Sequence, residues 1–237
     1  MIDIHTHLLP ELDDGSRSVD ETLQMLKVMW EQGVDTVVAT PHFYIDRQSP
    51  AEFISERDAA VEKLKSRLSE CENRPRIAVG AEVQFYPEIP DMEGIERLCL
   101  GGSRYLLVEM PFSQWSGYTY QSLSRLSSER RIVPVIAHIE RYFDSKNDAD
   151  KILRLKEAGA LIQTNSSFII ERATRRKALN LLKKEEISFL GSDCHNLTTR
   201  PPDIGNGIEI AFGKLGGRMF EELEYWEEKL KEEMVVF

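Results

Sequence analysis

All five histidines of this chain follow apolar runs: His5 and His7 after Met1-Ile2-Asp3-Ile4, His42 after Thr36-Val37-Val38-Ala39, His138 after Ile132-Val133-Pro134-Val135-Ile136, and His195 after Ile187-Ser188-Phe189-Leu190. A neutral imidazole is the commonest protein ligand for transition metals, and a buried strand that ends in one delivers it to a spot that other strands also reach. Carboxylates obey the same rule, with Glu82 after Ile77-Ala78-Val79, Glu109 after Leu106-Leu107-Val108, and Asp193 two residues before His195. An unpaired carboxylate is costly to bury at such a position, so a nearby cation is the natural compensation. Five imidazoles and three carboxylates exceed what one tetrahedral zinc uses, which implies two or three divalent ions sharing bridging carboxylates. Nitrogen and oxygen donors in this proportion suit manganese or iron at least as well as zinc.

Two arginines follow two of these ligands: Arg141 in His138-Ile139-Glu140-Arg141, and Arg200 in the stretch from His195 to Pro202. A guanidinium offers a fixed fork of donors that matches phosphate oxygens, so the pair points to phosphate-ester hydrolysis by a metal-activated water. A different chemistry is written over the same segment, because Cys194 and Arg200 have the Cys-x5-Arg spacing of thiolate phosphatases. The intervening residues hold no glycine, and Asp193 beside the thiol disfavours the thiolate. Trp115, Tyr118 and Tyr120 are candidates to stack on an aromatic substrate or, equally, to anchor their own loop.

Seven short apolar runs containing β-branched residues alternate with longer charged segments of helical period: 2–5, 35–40, 76–82, 104–109, 132–137, 160–164 and 187–192. This is the signature of repeated βαβ units, in which ligands gather beyond the carboxyl ends of the strands. Helices are expected at about 50–70, 119–130, 148–158, 173–184, 204–213 and 217–233. Another opens with a capping box at Ser18-Val19-Asp20-Glu21, buries a Leu23, Leu26 and Trp30 stripe, and stops at Gly33. In the last helix, Phe220, Leu223, Trp226 and Leu230 form a stripe that docks on the body.

With 237 residues, a barrel as one domain over 1–237 is expected. A net charge of −10 argues against a nucleic-acid partner, since phosphate backbones are met by basic patches. The start of the chain has neither a basic stretch followed by an apolar one nor a membrane-length segment, and the three separated cysteines suit a reducing compartment. A cytoplasmic protein that is not inserted in a membrane is expected.

Asp3-Ile4-His5-Thr6-His7, Thr40-Pro41-His42, Gly80-Ala81-Glu82, Val108-Glu109, the stretch Ile136 to Tyr142, and Ser192-Asp193-Cys194-His195-Asn196 through Arg200-Pro201-Pro202 together resemble the polymerase-and-histidinol-phosphatase (PHP) superfamily. With Leu12-Asp13-Asp14-Gly15, they are similar more narrowly to the bacterial manganese-dependent tyrosine-protein phosphatases of capsule and exopolysaccharide gene clusters. The resemblance implies a distorted (β/α)7 barrel with a trinuclear centre, preferentially loaded with Mn2+ although iron or zinc also fit. It implies hydrolysis of phosphotyrosine on the tail of a bacterial tyrosine autokinase. By position, His5, His7, His42, Glu82, Glu109, His138, Asp193 and His195 correspond to metal ligands, and Arg141 and Arg200 to phosphate-binding arginines. Asp14 or a metal-bound water is a candidate proton donor to the leaving group. The segments 43–48 and 112–120 follow no pattern that carries over. Two other readings share these residues: a phosphatase of a small monoester such as histidinol phosphate, and a non-catalytic metal-binding module in which both arginines are dispensable.

Overall fold

The computed structural model describes residues 1–143, 147–217 and 220–237. Its strands are β1 (Ile2–Thr6), β2 (Thr36–Ala39), β3 (His42–Phe43), β4 (Arg76–Val79), β5 (Glu82–Gln84), β6 (Tyr105–Glu109), β7 (Val133–Ile136), β8 (Leu161–Asn165) and β9 (Phe189–Gly191). All pairings are parallel, which is why the strands read as continuous apolar runs rather than as alternating ones. The helices are α1 (Val19–Glu31), α2 (Pro50–Lys65), α3 (Gly117–Arg130), α4 (Asp148–Glu157), α5 (Ser166–Ile170), α6 (Arg175–Lys183), α7 (Ile204–Leu215) and α8 (Phe220–Glu233).

One of the seven expected runs, 76–82, is broken in its interior, and another, 35–40, is followed after a break by a further short strand. β2 lies within the 35–40 run and β3 beyond it, the two parted at Thr40-Pro41, where proline has no N–H to give a ladder, and β4 and β5 are parted at Gly80-Ala81. Backbone bonds bridge both breaks, from Gly80 N to Ala39 O at 2.8 Å and from Glu82 N to Pro41 O at 3.0 Å. The result is a three-stranded order β1-β2-β4 beside a six-stranded order β3-β5-β6-β7-β8-β9. β9 returns to β1: Asp193 N donates to His5 O at 2.8 Å, and His7 N to Cys194 O at 2.9 Å. Opposite this seam the C-terminal residues fill in, with Phe237 and Ile77 exchanging backbone bonds of 2.9 and 3.0 Å and Val235 N bound to Gly101 O at 2.9 Å. These breaks and this plug are what distort the barrel.

α8 closes the end where the strands begin. Leu230 packs with Ile2, Ile4, Val38, Leu107 and Phe189, and Ile2 N donates to the Glu227 carboxylate at 3.2 Å. The larger core lies between sheet and helices and includes Met25, Leu26 and Met29 of α1. Trp30, expected in that stripe, is 44% exposed; the buried face turns through Thr22, Met25, Leu26 and Met29 instead. Ser18 caps α1 as expected, accepting from Glu21 N, but the Glu21 carboxylate takes Arg17 N, so the reciprocal box is absent there and complete at Ser49 and Glu52 of α2. α2 ends at Lys65, and a short 3-10 turn over Leu68–Glu70 supplies the rest of the expected 50–70 helix. Of the expected 217–233 helix, residues 218–219 lie outside the described residues.

Candidate metal centre

The strand ends carry their polar side chains to one place. His5 Nε2 lies 3.2 Å from Glu82 Oε2 and 3.5 Å from Asp193 Oδ1, and His7 Nε2 lies 3.3 and 3.5 Å from the same two atoms. His138 Nε2 is 2.8 Å from Glu82 Oε1 and 3.5 Å from Glu109 Oε1, while His42 Nδ1 is 3.0 Å from Glu82 Oε2. His195 stacks near His7, their ring centroids 3.9 Å apart. All eight expected ligands therefore converge, with Glu82 in the middle.

Asp14, which sequence reasoning offered as a proton donor, joins them as a ninth donor. Its Oδ1 is 3.5 Å from His42 Nε2 and 3.4 Å from His195 Nε2. Three overlapping groups result, in each of which the donor atoms lie within 4.8 Å of one another: His5, His7 and Asp193; His42, Glu82 and Glu109; His7, Asp14, His42 and His195.

Backbone geometry aims several of these groups. His138 and Asp193 both leave their strands in the left-handed region, at φ 33 and φ 54, a conformation that His and Asp tolerate better than bulky residues and that turns the side chain back over the strand end. Gly191 lets β9 pass His5, since a Cβ there would meet His5 Cβ at 2.7 Å. Gly15 does the same for the loop that carries Asp13 and Asp14, because its Cβ would lie 2.0 Å from His7 O.

A surrounding set of polar groups fixes the imidazoles, as outer partners of metal-binding histidines commonly do. Asp13 accepts from His7 Nδ1 at 2.7 Å, from Gly15 N at 2.9 Å and from His42 N at 3.1 Å. Burial alone would raise its pKa, but the His7 contact and the two backbone donors outweigh it and bring it down to about 2. Tyr142 Oη lies 3.2 Å from His138 Nδ1 and accepts from Met110 N at 2.9 Å. Gln163 holds His138 N at 2.7 Å with its carbonyl oxygen, and its amide nitrogen donates to Asn165 Oδ1 at 2.9 Å; Asn165 Nδ2 in turn donates to Asp193 Oδ2 at 3.0 Å. Sequence reasoning had missed Gln163, which sits inside an apolar strand with no spacing signal of its own. It had also missed Tyr44, stacked on His42 at 5.3 Å between ring centroids.

These residues fit divalent cations on two counts. Glu82 Oε2 and His42 Nδ1 are buried, 3.0 Å apart, and accept or donate no hydrogen bond among the described residues. Burial opposes charge on Glu82 and Asp193, yet the surrounding imidazoles hold both well below the usual carboxylate range. In return, His5 and His7 are raised above the usual imidazole range despite burial, by Glu82 and Asp13 respectively among others. Without cations the buried carboxylates thus draw protons onto His5 and His7, and a divalent ion meets the same demand for positive charge.

Both arginines reach the rim. Arg141 Nη2 is 2.5 Å from Asp193 Oδ2, and Arg200 Nη2 is 2.7 Å from Asp193 Oδ1, with side chains 34% and 38% exposed. The Arg200 loop is pinned by Asn196, whose Oδ1 accepts from Thr198 N, Thr199 N and Arg200 N at 2.9, 2.8 and 3.2 Å. Cys194 is fully buried, and burial pushes its thiol well above the ordinary range, so it presents no thiolate to a substrate beside Arg200.

In the aromatic loop, the anchoring role falls to Trp115. Trp115 is buried, donates to Pro111 O at 2.9 Å and packs 5.3 Å from Tyr142, so it anchors the loop; Tyr118 is 77% exposed.

Residues 1–229 match the profile of the family described as capsular polysaccharide synthesis, CpsB/CapC. The chain belongs to the CpsB/CapC family. It is 31% identical over 235 residues to the tyrosine-protein phosphatase CpsB of Streptococcus pneumoniae, covering 94% of each chain. It is 32% identical over 206 residues to the tyrosine-protein phosphatase YwqE of Bacillus subtilis, covering 84% of this chain and 79% of that one. A crystal structure from work on YwqE and CpsB as metal-dependent tyrosine phosphatases superimposes with a TM-score of 0.86 at 27% identity, covering 100% of this chain and 97% of the other. The CpsB/CapC fold is thus the distorted parallel barrel described above.

Proposed function

We propose that this chain is a metal-dependent protein-tyrosine phosphatase in which residues 1–237 act as one metallophosphatase domain. The observation that carries this reading is the meeting of nine metal-type donors and two phosphate-type arginines around Glu82 and Asp193. Membership in a family with curated tyrosine phosphatases favours phosphotyrosine over a small alkyl phosphate, and a non-catalytic module would have no use for the arginines. The protein substrate in this reading is the phosphotyrosine-bearing tail of a bacterial tyrosine kinase that regulates capsule or exopolysaccharide synthesis.

His5, His7, His42, Glu82, Glu109, His138, Asp193 and His195, joined by Asp14, would hold the ions, with Mn2+ preferred for its match to mixed nitrogen and carboxylate donors. Bound divalent ions supply Lewis acidity, which activates water at neutral pH and offsets phosphate charge. Arg141 and Arg200 turn from Asp193 to grip the phosphate oxygens and stabilise the charge that develops on them in the transition state. Asp13, Gln163 and Tyr142 keep the imidazoles oriented throughout. The tyrosine leaving group, with a pKa of about 10, departs with little need of a proton donor, so Asp14 serves better as a ligand than as an acid. No helix among the described residues is long and apolar enough to cross a membrane, and Cys71, Cys99 and Cys194 are free thiols. A cytoplasmic site of action accords with both.

Paired substitutions test this reading. Arg200→Ala is expected to lower kcat on a phosphotyrosine peptide by roughly a hundredfold while bound metal stays unchanged. Cys194→Ser is expected to keep most activity; abolished turnover with metals still bound would replace the reading with thiolate chemistry.

A further inference from the structure

A hollow of about 440 Å³ opens beside the metal centre, and its walls include Trp115, Tyr120, Arg141, Tyr142, Lys151 and Arg154. Arg141 also lines a second hollow, of about 430 Å³, that holds Asp193 and Arg200. The two hollows share Arg141 as a wall residue, so the first adjoins the place where phosphate is expected.

Its charge runs against that of the whole chain. Although the net charge is −10, three cationic side chains line this hollow, against the single carboxylate of Asp150 among its described residues. Arg154 Cζ lies 3.9 Å over the Tyr120 ring, and Lys151 Nζ lies 4.9 Å over Trp115 while donating to the Tyr142 carbonyl. Among the described residues, neither cation forms an ion pair with a carboxylate. An aromatic face positions a cation without neutralising it, so both charges remain free to meet an anion. Trp115 and Tyr142 are themselves braced by the Pro111 carbonyl and Met110 N, which makes this wall rigid.

We propose that Lys151 and Arg154 form a specificity subsite for an anionic group of the peptide that flanks the phosphotyrosine, either an acidic side chain or a second phosphate. The subsite rests on the tyrosine-phosphatase reading. A peptide whose phosphotyrosine reaches Asp193 would pass Arg141 and lay its neighbouring residues in the hollow. Charge-assisted hydrogen bonds to a guanidinium or ammonium there add affinity on the order of tenfold per contact.

The test uses the full chain and three peptides in which phosphonomethyl-phenylalanine replaces the phosphotyrosine, so that none can be turned over. Their flanks are neutral, glutamate-rich, or bearing a second phosphate, and Kd is read by fluorescence anisotropy. The matching phosphotyrosine peptides are followed for kcat/KM with Mn2+. The wild-type protein is expected to prefer an anionic flank by about tenfold, and Arg154→Gln to reduce that ratio towards one, with partial recovery in Arg154→Lys. Preference for the glutamate peptide or for the doubly phosphorylated one then assigns the anion. Equal Kd for neutral and anionic flanks in the wild-type protein overturns the subsite, as does a preference that survives both Arg154→Gln and the Lys151→Met/Arg154→Gln pair. Absence of hydrolysis of every phosphotyrosine peptide would count against the catalytic reading alone, since the Kd values report the subsite separately.

Discussion

At the scale of single residues, the centre is a contest between burial, which penalises charge, and the mutual attraction of imidazoles and carboxylates. Glu82 lies within 3.3 Å of imidazole nitrogens from His5, His7, His42 and His138, so no other side chain is shared by as many of the described histidines. Asp14 is more peripheral, with a side chain 66% exposed and, among the described residues, ion-pair distances to His42 and His195. Asp14→Asn is therefore expected to remove one ion and leave the rest, lowering bound metal by about one equivalent and activity by tenfold or more, as measured by elemental analysis beside kinetics. Retention of every ion would show that Asp14 is no ligand. The eight other donors were legible because each ends or closely follows an apolar run, a pattern that strand burial makes visible. Asp14 was not, because it sits on a loop after His7 and arrives only by the fold of that loop. Gln163 and Tyr44 were hidden for related reasons, one within a strand and the other in the 43–48 segment whose path only packing decides.

At the scale of elements, the seven-run alternation was readable from β-branched runs set between charged helical segments. Their breaks were not. The partings at Thr40-Pro41 and Gly80-Ala81 fall at the end of one run and inside another, and what restores continuity is hydrogen bonding to a neighbouring strand rather than anything in the run itself. Arg57 of α2 braces the second parting, its Nη1 donating to Gly80 O at 3.3 Å and Arg97 O at 3.2 Å. The loop from His7 to Ser16 approaches β1 most closely at its end, where Ser16 N donates to His7 O at 3.0 Å directly beside Gly15. Gly15→Ala is expected to push this loop off β1, withdrawing Asp13 from His7 and Asp14 from His195. Metal affinity should fall by at least tenfold while the far-ultraviolet circular dichroism stays that of the parent, because the clash is local. Unchanged affinity would mean that the loop accommodates a methyl group without moving its carboxylates.

Across the whole molecule, the two ends of the barrel have different tasks: α8 and the C-terminal segment seal the end where strands begin, and the proposed ligands occupy the other. The seal was half legible, since the Leu223, Trp226 and Leu230 stripe announced a docked helix, whereas the insertion of Val235 to Phe237 beside Ile77 needs partners far apart in sequence. At the other end, Asp203 at the start of α7 lies beside Ser166: burial raises its carboxyl to about 6 even though Ser166 donates a hydrogen bond to it. The folded chain therefore keeps a proton that the unfolded chain, with a carboxyl near 3.8, releases earlier, and stability is lost as pH rises through the window from about 4 to 6. Asp203→Asn removes that loss. The variant should match the parent below pH 4 and exceed it at pH 7 by on the order of 2 kcal/mol, as read from denaturant midpoints. An offset between the two proteins that does not change with pH would show that the Asp203 carboxyl is not shifted.

The most direct test of the central claim is a metal titration of chelator-stripped protein, with bound ions and hydrolysis of a phosphotyrosine peptide measured on the same samples. Eight of the nine donors fall in three overlapping groups, with His138 beside them on Glu82, and this leads to the expectation that stripped protein is inactive, that more than one Mn2+ binds per chain, and that turnover returns in step with the bound metal. Full activity in the stripped protein, or no hydrolysis with any divalent ion once the site is filled, would contradict it.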